Sequence, residues 1–140
     1  MAPQQLSWTC SICSMDWTLN AIGIPSNRDE CGNTIGYPNC VNETYGLMSG
    51  ECLVNAYSAY DIQAKQAWVT FEQAYSIASH YTGCINPVGM YHFMGIRGTA
   101  NDRIWLANSA MGYMGIYDTL SREQFNLLGP VQVIYCESKI

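Results

Sequence analysis

Two cysteines three positions apart, Cys10 and Cys13, stand in the stretch "QQLSWTCSICSMDWTLNAIG", Gln4 to Gly23. From Ile12 onward the apolar residues Ile12, Met15, Leu19 and Ile22 recur at helical spacing, and Gly23 and Pro25 then follow in the order that ends a helix. Cys10 therefore falls at or just before the N-terminus of a helix, with Cys13 one turn in. Three chemistries use such a pair. A redox couple has two residues between its thiols, as here, but such motifs follow a strand in a βαβ unit, and only nine residues precede Cys10. A zinc site could add Cys31 and Cys40, yet the eight residues between those two make a loose second pair. A nucleophile is favoured at a helix N-terminus, where the dipole and free N–H groups stabilise thiolate.

A nucleophilic cysteine needs an imidazole, a group that orients it and donors for an oxyanion. The chain has two histidines. His80 closes the helical stretch "TFEQAYSIAS", an ordinary place for a partly exposed, cation-tolerant residue. His92 lies in the β-rich run "MYHFMGIRG", where alternation puts it on one face with Met94 and Ile96. A lone histidine on an apolar strand is more often a hydrogen-bonded core residue than a catalyst. Asn108 changes the balance, because it ends the next run, "IWLANS", and a hairpin would bring it beside His92. There its carbonyl could hold the ring in the useful tautomer; otherwise it would serve as a turn residue at the corner before "SAMG".

These residues require an α+β scaffold. Residues 25–50, rich in Gly, Asn and Pro, read as a loop, and residues 51–68 as a helix in pieces. "TFEQAYSIASHYTG" is a clearer helix, with Thr70 and Gln73 as a capping box and Gly83 past its end. "MYHFMGIRG" and "RIWLANSA" are strands joined by "GTAND", "TLSREQFNLLGP" is a short helix with a second capping box at Ser121 and Gln124, and "VQVIYCE" is a closing strand. Residues 1–140 thus form one domain, with N-terminal helices packed on a C-terminal antiparallel sheet.

Composition narrows the function. The chain is 49% apolar and 12% charged, roughly half the usual charged share, which suggests that part of its surface is covered by a partner or other protein segments. A net charge of −5 argues against nucleic-acid binding. No apolar run is long enough to span a membrane, and no basic segment precedes an apolar one at the N-terminus, so no secretion signal is expected. Without one, the "NET" sequon at Asn42 carries no weight. Seven cysteines leave at least one unpaired, and Cys31, Cys40, Cys52, Cys84 and Cys136 are expected as buried thiols.

Cysteine at the start of the first long helix, histidine on a strand and Asn on the next strand is the chain order of papain-like peptidases. The sequence more closely resembles the bacteriocin-processing (double-glycine leader) cysteine peptidases and the peptidase-like domains of phage lysins and tail proteins. Gln4 precedes Cys10 by six residues, where those families place an oxyanion-hole glutamine. His92 precedes Asn108 by sixteen, about their His–Asp spacing. "NSAMGYMGIYDTLSREQFNLLGPVQVIY" is similar to their ending: a polar residue, a glycine turn, a short helix and a last strand. The likeness covers residues 4–23 and 86–135. Ser11 follows Cys10 where a glycine is frequent, and Asn108 stands where Asp is commoner, as in papain. Gln5 competes with Gln4, and Cys13 with Cys10, although Cys13 would have Ser7 as its spaced donor.

The resemblance implies a cysteine peptidase or amidase fold with Cys10 as nucleophile, His92 as base, Asn108 as orienter, and Gln4 with the Cys10 N–H at the oxyanion. It implies no metal or organic cofactor. The substrate would be a peptide or isopeptide bond and, in a phage setting, the peptidoglycan stem or cross-bridge, with the protein in the host cytoplasm or the virion. The alternative is a catalytically silent domain of a larger assembly such as a phage particle, which ten tyrosines, seven methionines and few charges would suit.

Overall fold

In the computed structural model, which describes residues 1–110 and 115–139, the chain begins with α1 (Cys10–Ala21). Next come α2 (Arg28–Ile35), a small hairpin of β1 (Val41–Asn42) and β2 (Gly46–Leu47), and α3 (Gly50–Ser58). Strand β3 (Ile62–Val69), α4 (Phe71–His80) and β4 (Gly83–Pro87) follow, then a 3-10 turn at Val88–Met90. The chain closes with β5 (Met94–Ala100), β6 (Arg103–Ala107), β7 (Thr119–Leu120), α5 (Arg122–Leu127) and β8 (Val131–Lys139). The main sheet is antiparallel throughout, in the order β3-β8-β4-β5-β6-β7.

Strand alternation explains the layering. In β4 and β8, Cys84 and Ile134 point into one apolar cluster with Met15, Leu19, Leu53 and Tyr57 of α1 and α3. Their neighbours Ile85 and Val133 point into a second cluster with Phe71, Ala74 and Phe125 of α4 and α5. The sheet therefore lies between the two sets of helices, each of its faces dry because each residue parity is apolar.

Both expected capping boxes form, Thr70 with Gln73 and Ser121 with Gln124. Elsewhere the structure corrects the sequence reading. Residues 25–50 hold α2, started by the Asn27 side chain accepting from the Glu30 N–H and ended at Gly36 with φ 113°, as well as the β1–β2 hairpin. A helix as polar as "RDECGNTI" gives little periodic signal. Of residues 51–68, only the first part is helical. Asp61, at φ 61°, turns the chain into β3, which pairs along its length with β8. The Ala, Gln and Lys of β3 favour strand weakly, so pairing to β8 decides its state. Cys40 and Cys52, expected as thiols, form a disulfide that ties the hairpin to the first turn of α3. Cys10, Cys13, Cys31, Cys84 and Cys136 are free. The glycine turn expected in "SAMGYMG" includes residues 111–114, which lie outside the described residues.

Candidate active site

Helix α1 docks on the sheet through Cys10, Ser14, Trp17 and Thr18, spaced to fall along one face. The Phe93 N–H donates to Cys10 Sγ at 3.4 Å, and Ser14 Oγ donates to the Phe93 carbonyl at 3.0 Å. The Trp17 ring packs against Gly95, where an added Cβ would come within 2.5 Å of it, so the approach requires glycine. Thr18 Oγ1 donates to the Gly83 carbonyl at 3.2 Å. This stripe puts the Cys10 sulfur against the residue that follows His92.

His92 does not lie within a strand, contrary to the alternation. It sits between Tyr91, which has φ 48°, and β5, which begins at Met94, and it is buried. The residue before it takes the left-handed turn, and this frees the ring from the strand's face. The β5–β6 hairpin pairs Gly95 with Ala107, so His92 and Asn108 emerge at the same end. His92 Nε2 and Asn108 Oδ1 are 2.7 Å apart.

The tautomer follows from the backbone around Asn108. Its Oδ1 also accepts from the Ala110 N–H at 2.9 Å, and its Nδ2 donates to the Tyr117 carbonyl at 3.1 Å. One partner can only donate and the other can only accept, so the amide's orientation is fixed. His92 Nε2 must then carry the hydrogen, and Nδ1 keeps the lone pair that a general base needs. Burial pushes the His92 pKa down, while the bond to Asn108 pulls it up in part. Burial raises the Cys10 thiol, and the N–H groups of Phe93 and Ser11 oppose that rise. The expected thiolate stabilisation at the helix start is thus present but outweighed by burial.

Gln4 is buried, and its partner Ser109 is the residue that follows Asn108. Its backbone N–H donates to the Ser109 carbonyl at 2.8 Å, and its Oε1 accepts from Ser109 Oγ at 2.8 Å. Its Nε2 donates to the carbonyls of Leu6 (2.9 Å) and Ser7 (3.2 Å). Arg28 holds the segment before it through the carbonyls of Ala2 and Pro3. Gln5 and Cys13 line a cavity of about 390 Å³ between residues 5–9 and α2, bordered by Trp8, Ile12 and Tyr37, and the Cys13 thiol also meets Ser109, the partner of Gln4. Cys13 is 1% exposed and its thiol lies 4.0 Å from Thr9 Oγ1. His80 is exposed, its Nδ1 against the Ser76 carbonyl. Cys40 is committed to Cys52, so the four-thiolate set with Cys10, Cys13 and Cys31 is not assembled.

Sequence reasoning missed Ser14, Phe93 and Ser109. A serine inside a helix and one after an Asn carry no pattern of their own; only the fold shows what they bond.

No protein-family model matches the chain, and no curated protein matches it either. Solved structures do. A double-glycine motif protease from an AMS/PCAT transporter, solved in complex with the leader peptide, superposes with a TM-score of 0.73 at 16% identity, over 98% of this chain and 91% of that one. The peptidase domain of Streptococcus ComA, a bifunctional ABC transporter of a quorum-sensing pathway, gives 0.66 at 9% identity, over 97% of both chains. A Bacillus anthracis protein described as a C39-like peptidase gives 0.65 at 14% identity, over 100% of this chain and 96% of that one. The chain has the papain-like fold of these cysteine peptidase domains.

Proposed function

We propose that the protein is a cysteine peptidase or amidase working through Cys10, His92 and Asn108. The observation that carries this reading is the His92 Nε2–Asn108 Oδ1 bond, because it leaves Nδ1 as the base on a loop whose next N–H touches the Cys10 sulfur. Cys10 Sγ attacks the substrate carbonyl while His92 Nδ1 takes the thiol proton. The same nitrogen then protonates the leaving amine, and water, deprotonated by Nδ1, releases the acyl group from sulfur. The Cys10 N–H and Gln4 Nε2 receive the oxyanion, for which Gln4 exchanges the longer of its two loop bonds, that to Ser7.

The substrate class is a peptide or isopeptide bond. The resemblance of residues 86–135 to the peptidase-like domains of phage lysins favours the stem or cross-bridge of peptidoglycan. The Cys40–Cys52 disulfide, of a kind that persists in oxidising surroundings, favours work in the virion or outside the host cytoplasm. A second reading, a silent domain within an assembly, draws on the occupied Gln4 donors and the raised Cys10 thiol.

Incubation with purified peptidoglycan and with a mixed peptide library, followed by mass spectrometry of released amines and peptides, separates the two. New termini are expected from the wild type and none from Cys10→Ala, while Cys13→Ala stays active. Identical product sets from wild type and Cys10→Ala would sink the enzyme reading and leave the silent domain.

A further inference from the structure

We propose that Ser14 is a positioning residue that sets the distance between the Cys10 sulfur and the His92 ring. The inference rests on the Cys10–His92 reading above and adds the device that brings the two together.

The two halves of the pair come from different elements, and one residue, Phe93, joins them. Its N–H is read by Cys10 and its carbonyl by Ser14, one helical turn further on. Both polar groups of a single residue are thus held by one helix face, so the backbone at residue 93 can neither slide along α1 nor rotate against it. His92 is the preceding residue, and its ring is fixed at the far side by Asn108. Ser14 is completely buried, and its hydroxyl satisfies a carbonyl that helix α1 would otherwise bury unpaired. The strand ladder does not supply this constraint, because β5 begins only at Met94 and its first partner on β4 is Ile85. Without the Ser14 bond, the backbone of Phe93 keeps one polar contact with α1, the weaker one of an N–H to sulfur, beside the apolar packing of its ring in one cluster with Ile12, Met15 and Leu19.

Thr18 provides a matched control. It is equally buried on the same helix face and donates to main-chain carbonyls, that of Ser14 one turn back at 2.8 Å and that of Gly83 at 3.2 Å, but it lies two turns from Cys10. Loss of either hydroxyl should cost similar stability; only loss of Ser14 should disturb the pair. The titratable neighbours that act on Cys10 are the thiols of Cys13 and Cys84, which both variants leave in place.

The test measures the rate at which iodoacetamide modifies Cys10 across pH 4–10, by peptide mapping, in the wild type, His92→Ala, Ser14→Ala, Ser14→Thr and Thr18→Val. A wild-type inflection that disappears in His92→Ala reports the coupling of thiol and imidazole. In Ser14→Ala the rate below that inflection's plateau should fall roughly five- to tenfold, the scale of one buried hydrogen bond. Ser14→Thr should restore it, and Thr18→Val should leave it unchanged despite a similar drop in melting temperature. A wild-type inflection that persists unaltered in Ser14→Ala overturns the positioning role alone. Absence of the inflection from the wild type overturns both this inference and the catalytic reading. Should Ser14→Ala fail to fold, the near-isosteric Ser14→Cys, a weaker donor, replaces it with the same expected direction and the same overturning result.

Discussion

The region that carries Cys10, α1 to α3, and the region that carries His92 and Asn108, at the end of the β5–β6 hairpin, both rest on apolar clusters but differ in what else holds them. Around β4 to β6 the cluster is aliphatic and aromatic: Ile85, Met94, Ile96, Ile104, Leu120 and Phe125, tied by antiparallel ladders. The helical side includes long irregular connections and a disulfide, and its contacts with the sheet include buried hydroxyl and thiol groups, such as Tyr57 Oη against Cys84 Sγ at 3.2 Å. Apolar packing tolerates small shifts, whereas a hydrogen bond fixes direction as well as distance. A polar seam joins the helix that carries Cys10 to the strand end that follows His92.

The largest effect that can break this comparison is expected at Asn108. Asn108→Ala removes the partner of His92 Nε2 and should cut turnover by at least tenfold, within the range of about 10²–10⁴ that general-base work supplies. The side chain that bonds His92 also bonds Ala110 and Tyr117. The variant should thus lose about 1–3 kcal/mol of stability as well. Turnover measured per folded molecule, with circular dichroism to count folded molecules, separates the losses; full activity in the folded fraction would leave only the corner.

Cutting the disulfide tests the helical side alone. The Cys40–Cys52 bond closes a loop of 12 residues, so Cys40→Ser with Cys52→Ser should cost about 3 kcal/mol, or about 10 °C in melting temperature. Hydrogen exchange should rise in α2, β1 and β2 while β4, β5 and β8 stay protected. Uniform loss of protection would show that the two regions unfold as one unit.

A subtler effect comes from His92. Because its folded pKa lies below the ordinary value, the unfolded chain binds more protons between the folded pKa and about 6.5. Stability should accordingly fall as pH drops through 6.5, and the acid limb of activity should lie below 6.5. Asn108→Ala removes the contact that raises this pKa and should move the limb lower still. An acid limb above 6.5 in the wild type would contradict a buried neutral ring.

Thiol labelling should separate Cys10 from the thiols that burial lifts furthest. Burial is the main force that lifts Cys31 and Cys136 to about 12 and Cys84 to about 11, so all three should resist iodoacetamide at neutral pH while Cys10 reacts. The smallest expected effect is at His80, whose ring is exposed: His80→Ala should leave turnover and melting temperature unchanged.

Local chemistry made several elements legible in the sequence. The capping boxes at Thr70 and Ser121, the helical period from Ile12 to Leu19 and the alternation in β6 each depend on neighbours a few residues away. The sequence also carried the candidates Cys10, His92, Asn108 and Gln4, through residue type and spacing. It did not carry β3, whose weak strand formers are decided by β8 some seventy residues later, nor the pairing of Cys40 with Cys52. Nor could it show that Ser14 and Cys10 grip the same residue 79 positions beyond Ser14, or that Ser109 holds Gln4 across 105. A helix cap or a hydrophobic period is fixed by contacts within one turn of chain. The distance from a thiol to an imidazole is fixed by whichever helix face and strand end the packed core brings together, and that exists only in the folded molecule.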